Sequence, residues 1–202
     1  IKSYLGYFSQ NKELRSWLIV LITFKVADGL AGPLLKPLMV DMGLSFTQIG
    51  IYITMLGAIA ALLGALIAGW MLKYISRSTA LMAFSILKIM SLGGYAYLAY
   101  AYEQKVKINV WLIYAVNALE DAFAAMLLVV MLTLVMHYSR KNYAGTDFTF
   151  QVSVMATVSG GLYSFSGVIA DVLGYFHYLI AIVSIAVLFL IPIYLWKAAK
   201  TV

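Results

Sequence analysis

The sequence alternates between long apolar runs and short polar turns. Three runs carry no Asp, Glu, Lys or Arg at all: Met42–Leu72, Phe148–Ala170 and Val172–Trp196. Three more, roughly 14–39, 79–102 and 109–137, are apolar apart from isolated charges. A helix needs about 20 mainly apolar residues to cross the hydrocarbon core, and every run is long enough. The apolar positions are continuous rather than alternating, which excludes a strand barrel. The pattern predicts an all-α membrane protein with six transmembrane helices, at about 14–39, 46–72, 79–102, 109–137, 146–171 and 174–196, forming one domain over residues 1–202.

Composition excludes the main alternatives. The chain is 64% hydrophobic and 11% charged, whereas soluble domains carry about 25% charged residues. With no Cys, disulfides, thiolate metal sites and cysteine nucleophiles drop out. Two His are too few for most histidine-built metal sites, and neither His137 nor His177 suggests chemistry near its helix end. No cofactor or metal is expected.

The net charge of +6 would suggest a nucleic-acid partner if the charges clustered. They do not. Lys2, Lys12, Arg15, Lys73, Arg77, Arg140, Lys141, Lys197 and Lys200 fall at the termini and in the even-numbered connections. Only Lys36, Lys105 and Lys107 fall at the odd-numbered ones, and Lys25 and Lys88 lie within spans. Nine against three places both termini in the cytoplasm, so the basic balance reads as topology. Trp17, Trp70, Tyr102, Trp111 and Trp196 lie near helix ends, where amphipathic rings favour the headgroup level. No signal peptide is expected, and the initial Ile suggests a trimmed chain or a fragment.

A weak repeat relates the first three helices to the last three. Asp28-Gly-Leu-Ala-Gly32 in the first helix matches Asp121-Ala-Phe-Ala-Ala125 in the fourth. Gly69–Lys73 and Gly167–Gly174 end the second and fifth helices on opposite sides. Two inverted three-helix repeats are a transporter signature. Small residues mark packing faces: Gly57, Ala61, Gly64, Ala65 and Ala68 on the second helix, and Ser153, Thr157, Gly160, Gly161, Ser164 and Gly167 on the fifth.

Ionisable residues inside a span cost about 2.5–3.5 kcal/mol each on insertion scales, so they face protein or water. Lys25, Asp28, Gly32 and Lys36 form a stripe down one face of the first helix. Pro33 and Pro37 flank Lys36 and predict a bend or break in the outer third, where Lys36 can snorkel outward. Asn117, Glu120 and Asp121 form a polar face on the fourth helix, and the third helix adds Lys88. One reading is a substrate or proton cavity between the first and fourth helices, with Asp28 and Glu120 as proton carriers. The other is structural pairing, Lys25 with Asp28 and Lys88 with an acid of the fourth helix. Thr146 or Asp147 reads as a cap of the fifth helix, with Gln151 one turn further in, or else as a cytoplasmic gate. No catalytic motif is present, and Ser164, Ser166 and His177 make a poor protease set.

Three stretches carry a resemblance. FKVADGLAGPLLKPLMVDMGLSFTQIG (Phe24–Gly50), NALEDAF (Asn117–Phe123) and above all YAGTDFTFQ (Tyr143–Gln151) are similar to the seventh, tenth and eleventh helices of one major facilitator superfamily branch. That branch holds the AmpG-type muropeptide permeases, acetyl-CoA transporters and RhtX/FptX-type siderophore importers. Gly69–Arg77 resembles a degraded form of the superfamily's Gly-x-x-x-Asp-Arg loop, with Lys73 in place of the acid. The resemblance implies the C-terminal six-helix half of a 12-helix transporter of the bacterial inner membrane. Such a half would import a small organic substrate, siderophore-like or alternatively a muropeptide or acyl-CoA, coupled to protons, and would pair with an N-terminal six-helix half. A membrane enzyme lacks a catalytic constellation here, and a scaffold leaves two mid-membrane polar faces unexplained.

Overall fold

The computed structural model describes residues 6–200; Lys2, counted above among the terminal charges, lies outside them. Among the described residues the secondary structure is entirely helical. Six helices are long and apolar enough to cross a membrane: α1 (Lys12–Asp41), α2 (Phe46–Met71), α3 (Arg77–Glu103), α4 (Val110–His137), α5 (Lys141–Leu173) and α6 (Tyr175–Lys200). These bounds fall within a few residues of those expected from the apolar runs. Polar residues at the turns set several of the starts. Asn11 accepts from the Leu14 amide, Ser76 from Thr79 and Asn109 from Trp111, each satisfying a donor that the first turn leaves free. Ser45 and Gln48 form a reciprocal capping box at the start of α2. Only Gly174 separates α5 from α6, and its φ of 77° is open to a residue without Cβ.

The regular α-helix is interrupted within α1, α2 and α6, and α5 opens with a 3-10 turn at Lys141–Tyr143. Residues Ile49–Met55 of α2 form a π-helical stretch, α6 breaks at Phe189, and α1 breaks at Lys25. No break falls at the prolines, where a bend or break was expected. The helix Val26–Asp41 runs through Pro33 and Pro37. Each proline removes one backbone bond, and packing of Leu30, Leu34 and Leu38 into the bundle holds the turns in place. Tyr178 on α6 also donates to the Leu30 carbonyl at 3.1 Å.

The first and last described segments lie at the same end of the bundle, where Asn11, Lys12 and Glu13 border one pocket with Leu195, Ala198 and Ala199. There Trp17 of α1 stacks on Tyr138, just past α4, with 4.8 Å between ring centroids, and packs against Trp196 of α6. At the opposite end Tyr175 donates to Asp41 at 2.6 Å, and Glu103 accepts from the Phe176 amide at 3.0 Å. The buried apolar residues form two clusters, one toward each end. The terminal-end cluster includes Trp17, Leu21, Leu81, Phe84, Met126 and Val130. The far-end cluster includes Leu30, Leu34, Leu92, Tyr95, Ile113 and Tyr114. The gap between them falls at residues 25–28 of α1, 88 of α3 and 117–121 of α4. A polar layer therefore crosses the middle of the bundle.

The small residues of α2 pack as expected. A Cβ on Gly64 would collide with the Ala122 carbonyl of α4, and one on Gly57 with the Asp121 carboxylate. Backbone cannot yield as a side-chain tip can. Gly64→Ala is expected to cost about 1–3 kcal/mol, read as a lowered unfolding temperature in detergent; an unchanged temperature would mean that α2 and α4 cross less tightly. The stripe on α5 is a correction. Gly160, Gly161 and Gly167 meet no neighbour within 4 Å, and Ser153, Thr157 and Ser164 are exposed. The close approach on α5 comes instead at Ser159, whose backbone lies against Gly29 of α1. The buried positions nearby, Met155 and Ser166, lie off the expected stripe.

Candidate functional site

The mid-bundle layer is centred on Lys88. Its side chain is 8% exposed and reaches two acids on different helices. Nζ lies 3.3 Å from Asp28 Oδ1 on α1 and pairs with Glu120 Oε1 on α4. Asp28 holds a second cation, Lys25 Nζ, at 2.7 Å from Oδ2. Lys25, Asp28, Lys88 and Glu120 thus form one connected, electrically balanced chain. Both pairings anticipated from the sequence are present, and Lys88 joins them. The break in α1 at Lys25 sits within this chain.

Asn117 builds a second group beside it. Its Oδ1 accepts from the buried Tyr95 hydroxyl at 2.9 Å, and its Nδ2 donates to the Asp121 carboxylate at 2.9 Å and to the Ile53 carbonyl at 3.0 Å. Ile53 belongs to the π-helical stretch of α2, and such wide turns recur at functional sites. Asp121 lies over Gly57, the one neighbour on α2 slender enough to admit it.

Two cavities flank the layer. One, of about 310 Å³, lies between α1, α2 and α4 toward the far end, bordered by Gly32, Lys36, Gly57, Asn117, Glu120 and Asp121. Lys36, expected to snorkel outward, lines this cavity. The other holds about 50 Å³ toward the terminal end and is bordered by Thr23, Asp28, Ser85, Lys88, Phe189 and Leu190, among others. The second volume suits a few waters; the first is at the lower end of the range for a small-molecule site, about 300–1,000 Å³. The expected cavity between α1 and α4 therefore has α2 as its third wall, and α3 supplies the central cation.

Asp147 and Gln151 lie apart from this layer, at the terminal end, and both are fully buried. The cap expected there is corrected. Asp147 sits inside the first turn of the helix that begins at Ala144 and bonds backward to Arg140: to its amide at 2.9 Å, to Nε at 2.8 Å and to a terminal guanidinium nitrogen at 2.8 Å. Fork-to-fork geometry makes this a strong, directional pair. Thr146 is exposed and makes no cap. Gln151 accepts from Trp17 Nε1 at 2.8 Å and donates to the Val135 carbonyl and Ser139 Oγ, both at 3.1 Å. Next to it, Tyr138 donates to Glu13 at 2.5 Å and accepts from Trp196 Nε1 at 3.1 Å. These bonds tie α1, α4, α5 and α6 together.

Burial and then the bond to Glu13 push the Tyr138 phenol above its ordinary value. The fold thus favours the neutral phenol. Its stabilising contribution is complete below about pH 10 and is lost as pH rises beyond that. Tyr138→Phe is expected to cost about 1–2 kcal/mol at neutral pH and to flatten the fall of stability above about pH 10. Unfolding followed by circular dichroism at several pH values checks both; an unchanged alkaline slope would show that Tyr138 is not the group responsible.

No known protein-family model matches the chain. The site must therefore be read from its own chemistry. Among the described residues, no group of three or more His, Asp or Glu is placed to hold a metal ion. Tyr95 is a site residue that the sequence reading lacks, although it lies two helical turns from Lys88 on one face of α3, and that spacing was the available signal.

Proposed function

We propose that this chain forms one half of a proton-coupled secondary transporter and supplies one wall of its substrate path. The observation that carries the reading is the Lys25–Asp28–Lys88–Glu120 chain, held at mid-bundle depth beside a cavity of about 310 Å³. Ionisable groups are expensive at that depth and mark ion or substrate routes. The resemblance to the major facilitator superfamily supports a 12-helix assembly, with this chain as the C-terminal half built from two inverted repeats. The charge count supports an orientation with both termini in the cytoplasm, and the same resemblance supports the bacterial inner membrane. A siderophore-like organic molecule is the favoured cargo. Muropeptides and acyl-CoA are the alternatives within the branch.

The exposed apolar face of α5, with Tyr163, Phe165, Val168 and Val172, leaves room for the second half. Uptake into vesicles from cells producing the chain with its N-terminal half tests the proposal. Labelled ferric siderophore should accumulate when an inward pH gradient is imposed, and labelled muropeptide should not. Accumulation of muropeptide alone would move the assignment to the alternative. Accumulation of none of the three substrate types, with the protein correctly inserted, would count against transport.

A further inference from the structure

The two cavities do not merge, and the ion pairs lie between them. On α1 the lining residues of the terminal-end cavity run from Val20 to Asp28, and those of the far-end cavity from Gly32 to Met39. On α4, which runs the other way, Leu127 borders the first and Asn117, Glu120 and Asp121 border the second. Asp28 therefore faces one compartment and Glu120 the other, while Lys88 lies beside both acids and borders the terminal-end cavity. The two apolar clusters lie on either side of this layer, one toward each end of the bundle.

We propose that the Lys88 ion pairs partition the bundle, and that a proton crosses by entering at Glu120 from the far-end cavity and leaving at Asp28 into the terminal-end cavity. The proton-transfer part rests on the proton-coupled reading above; the partition does not. The steps balance. Glu120 takes a proton from water in the far-end cavity and its pair with Lys88 loosens. Lys88 Nζ passes one of its protons to Asp28 Oδ1, turning an ion pair into a neutral amine and a neutral acid. Glu120 then gives its proton to the Lys88 amine, which restores the ammonium and the Glu120 carboxylate. Asp28 releases its proton to water in the terminal-end cavity, drawn back to the charged form by Lys25 at 2.7 Å. One proton has moved, and every group is as it began.

Burial penalises both charged partners, and the transfer removes two buried charges in one step. The surroundings give the sequence a direction. Around Glu120 the charged groups are Lys88 from α3, Lys36 and Asp28 from α1 and Asp121 from its own helix, with the Tyr95 hydroxyl held by Asn117; α2 lines the cavity with Ile53, Thr54, Gly57, Ala58 and Ala61, none of them ionisable. Around Asp28 they are Lys25, Lys88 and Glu120, while α6 contributes only Ala186, Phe189, Leu190 and Ile193. Asp28 thus keeps Lys25 at ion-pair distance when Lys88 turns away, whereas among the described ion pairs Glu120 has Lys88 alone, with Lys36 across the cavity.

The chain has no Cys, so each introduced thiol is unique. Thr54→Cys tests the far-end cavity and Thr23→Cys the terminal-end one. Each should react with an impermeant thiol reagent from one side of the membrane only, and the two from opposite sides. A water-soluble carbodiimide, followed by mass spectrometry of the unaltered chain, should modify Glu120 from the Thr54 side and Asp28 from the Thr23 side. Reaction of both thiols, or of both acids, from the same side would overturn the partition.

The relay has its own test in vesicles from cells that hold the chain with its partner half. Lys88→Arg keeps the charge but cannot surrender a proton. Substrate-linked proton uptake, followed with an internal pH dye, should fall at least tenfold while thiol sidedness is unchanged. Proton uptake at the unaltered rate would overturn the relay and leave the partition standing. If the unaltered protein moves no protons, the transport reading fails first, and the sidedness results still decide the partition. Should Lys88→Arg not insert, Glu120→Gln, which cannot take up the entering proton, replaces it in the same assay, and proton uptake at the unaltered rate would again overturn the relay.

Discussion

Lys88→Met is expected to destabilise the fold by about 3–5 kcal/mol, the largest loss from any single substitution in the polar layer. Lys88 is the sole cation paired with Glu120 among the described ion pairs, and the Glu120 side chain is only 12% exposed. Taking the lysine away leaves a largely buried carboxylate without the cation it pairs with. Asp28 suffers less, because Lys25 stays at 2.7 Å. A second substitution discriminates between these causes. Lys88→Met with Glu120→Gln removes both members of the buried pair and should recover most of the loss, since replacing a whole buried pair is often close to neutral. Unfolding in detergent, followed by far-ultraviolet circular dichroism, gives the cycle. If the double variant were as unstable as the single one, the cost would lie in packing around the Lys88 stem rather than in the stranded charge.

Part of the layer is legible in the sequence, and the division has a physical basis. Spans follow from apolar length, because lipid allows helices little freedom over where to begin and end. The Lys25–Asp28 contact follows from a spacing of three along one helix. That Lys88 would reach both Asp28 and Glu120 does not follow, since it depends on how three helices rotate against one another. The sequence offered an acid on each of two helices and a lysine on a third, and many rotations satisfy that list. Asp147 shows a different limit. An acid in a first turn reads as a cap by position alone, yet Arg140, seven residues earlier, bends back and claims it with three bonds. The prolines mislead for a similar reason. Intrinsic preference puts the break at Pro33, but the surrounding leucines hold that turn and the break falls at Lys25, whose side chain is committed to Asp28. The small residues of α2 and α5 look alike in sequence; α4 covers the first set, and nothing within the described residues covers the second.

Coupled uptake should respond to the two acids of the layer in a way that stability does not. On the transporter reading, Glu120→Gln and Asp28→Asn in the protein with its partner half should each abolish accumulation driven by a pH gradient. Exchange of labelled for unlabelled substrate should continue, because exchange needs alternation of the two states but no net proton movement. Both substitutions keep the size of the side chain and leave Lys88 one acid to pair with, so the fold has a means of tolerating either. Asp147→Asn is the control. It weakens the pair between the buried Asp147 and the partly exposed Arg140 at the terminal end, away from the cavities, and should lower stability by about 1.5–3 kcal/mol, the worth of a charged hydrogen bond. The protein that remains folded should still accumulate substrate. The combination matters more than any single value: gradient-driven uptake lost with exchange kept for Asp28 and Glu120, and both kept per folded molecule for Asp147. Wild-type accumulation in Glu120→Gln and Asp28→Asn would make these acids structural partners of Lys88 and remove protons from the mechanism. Loss of accumulation and exchange together would instead place them in substrate binding, with the far-end cavity beside Glu120 as the site of contact.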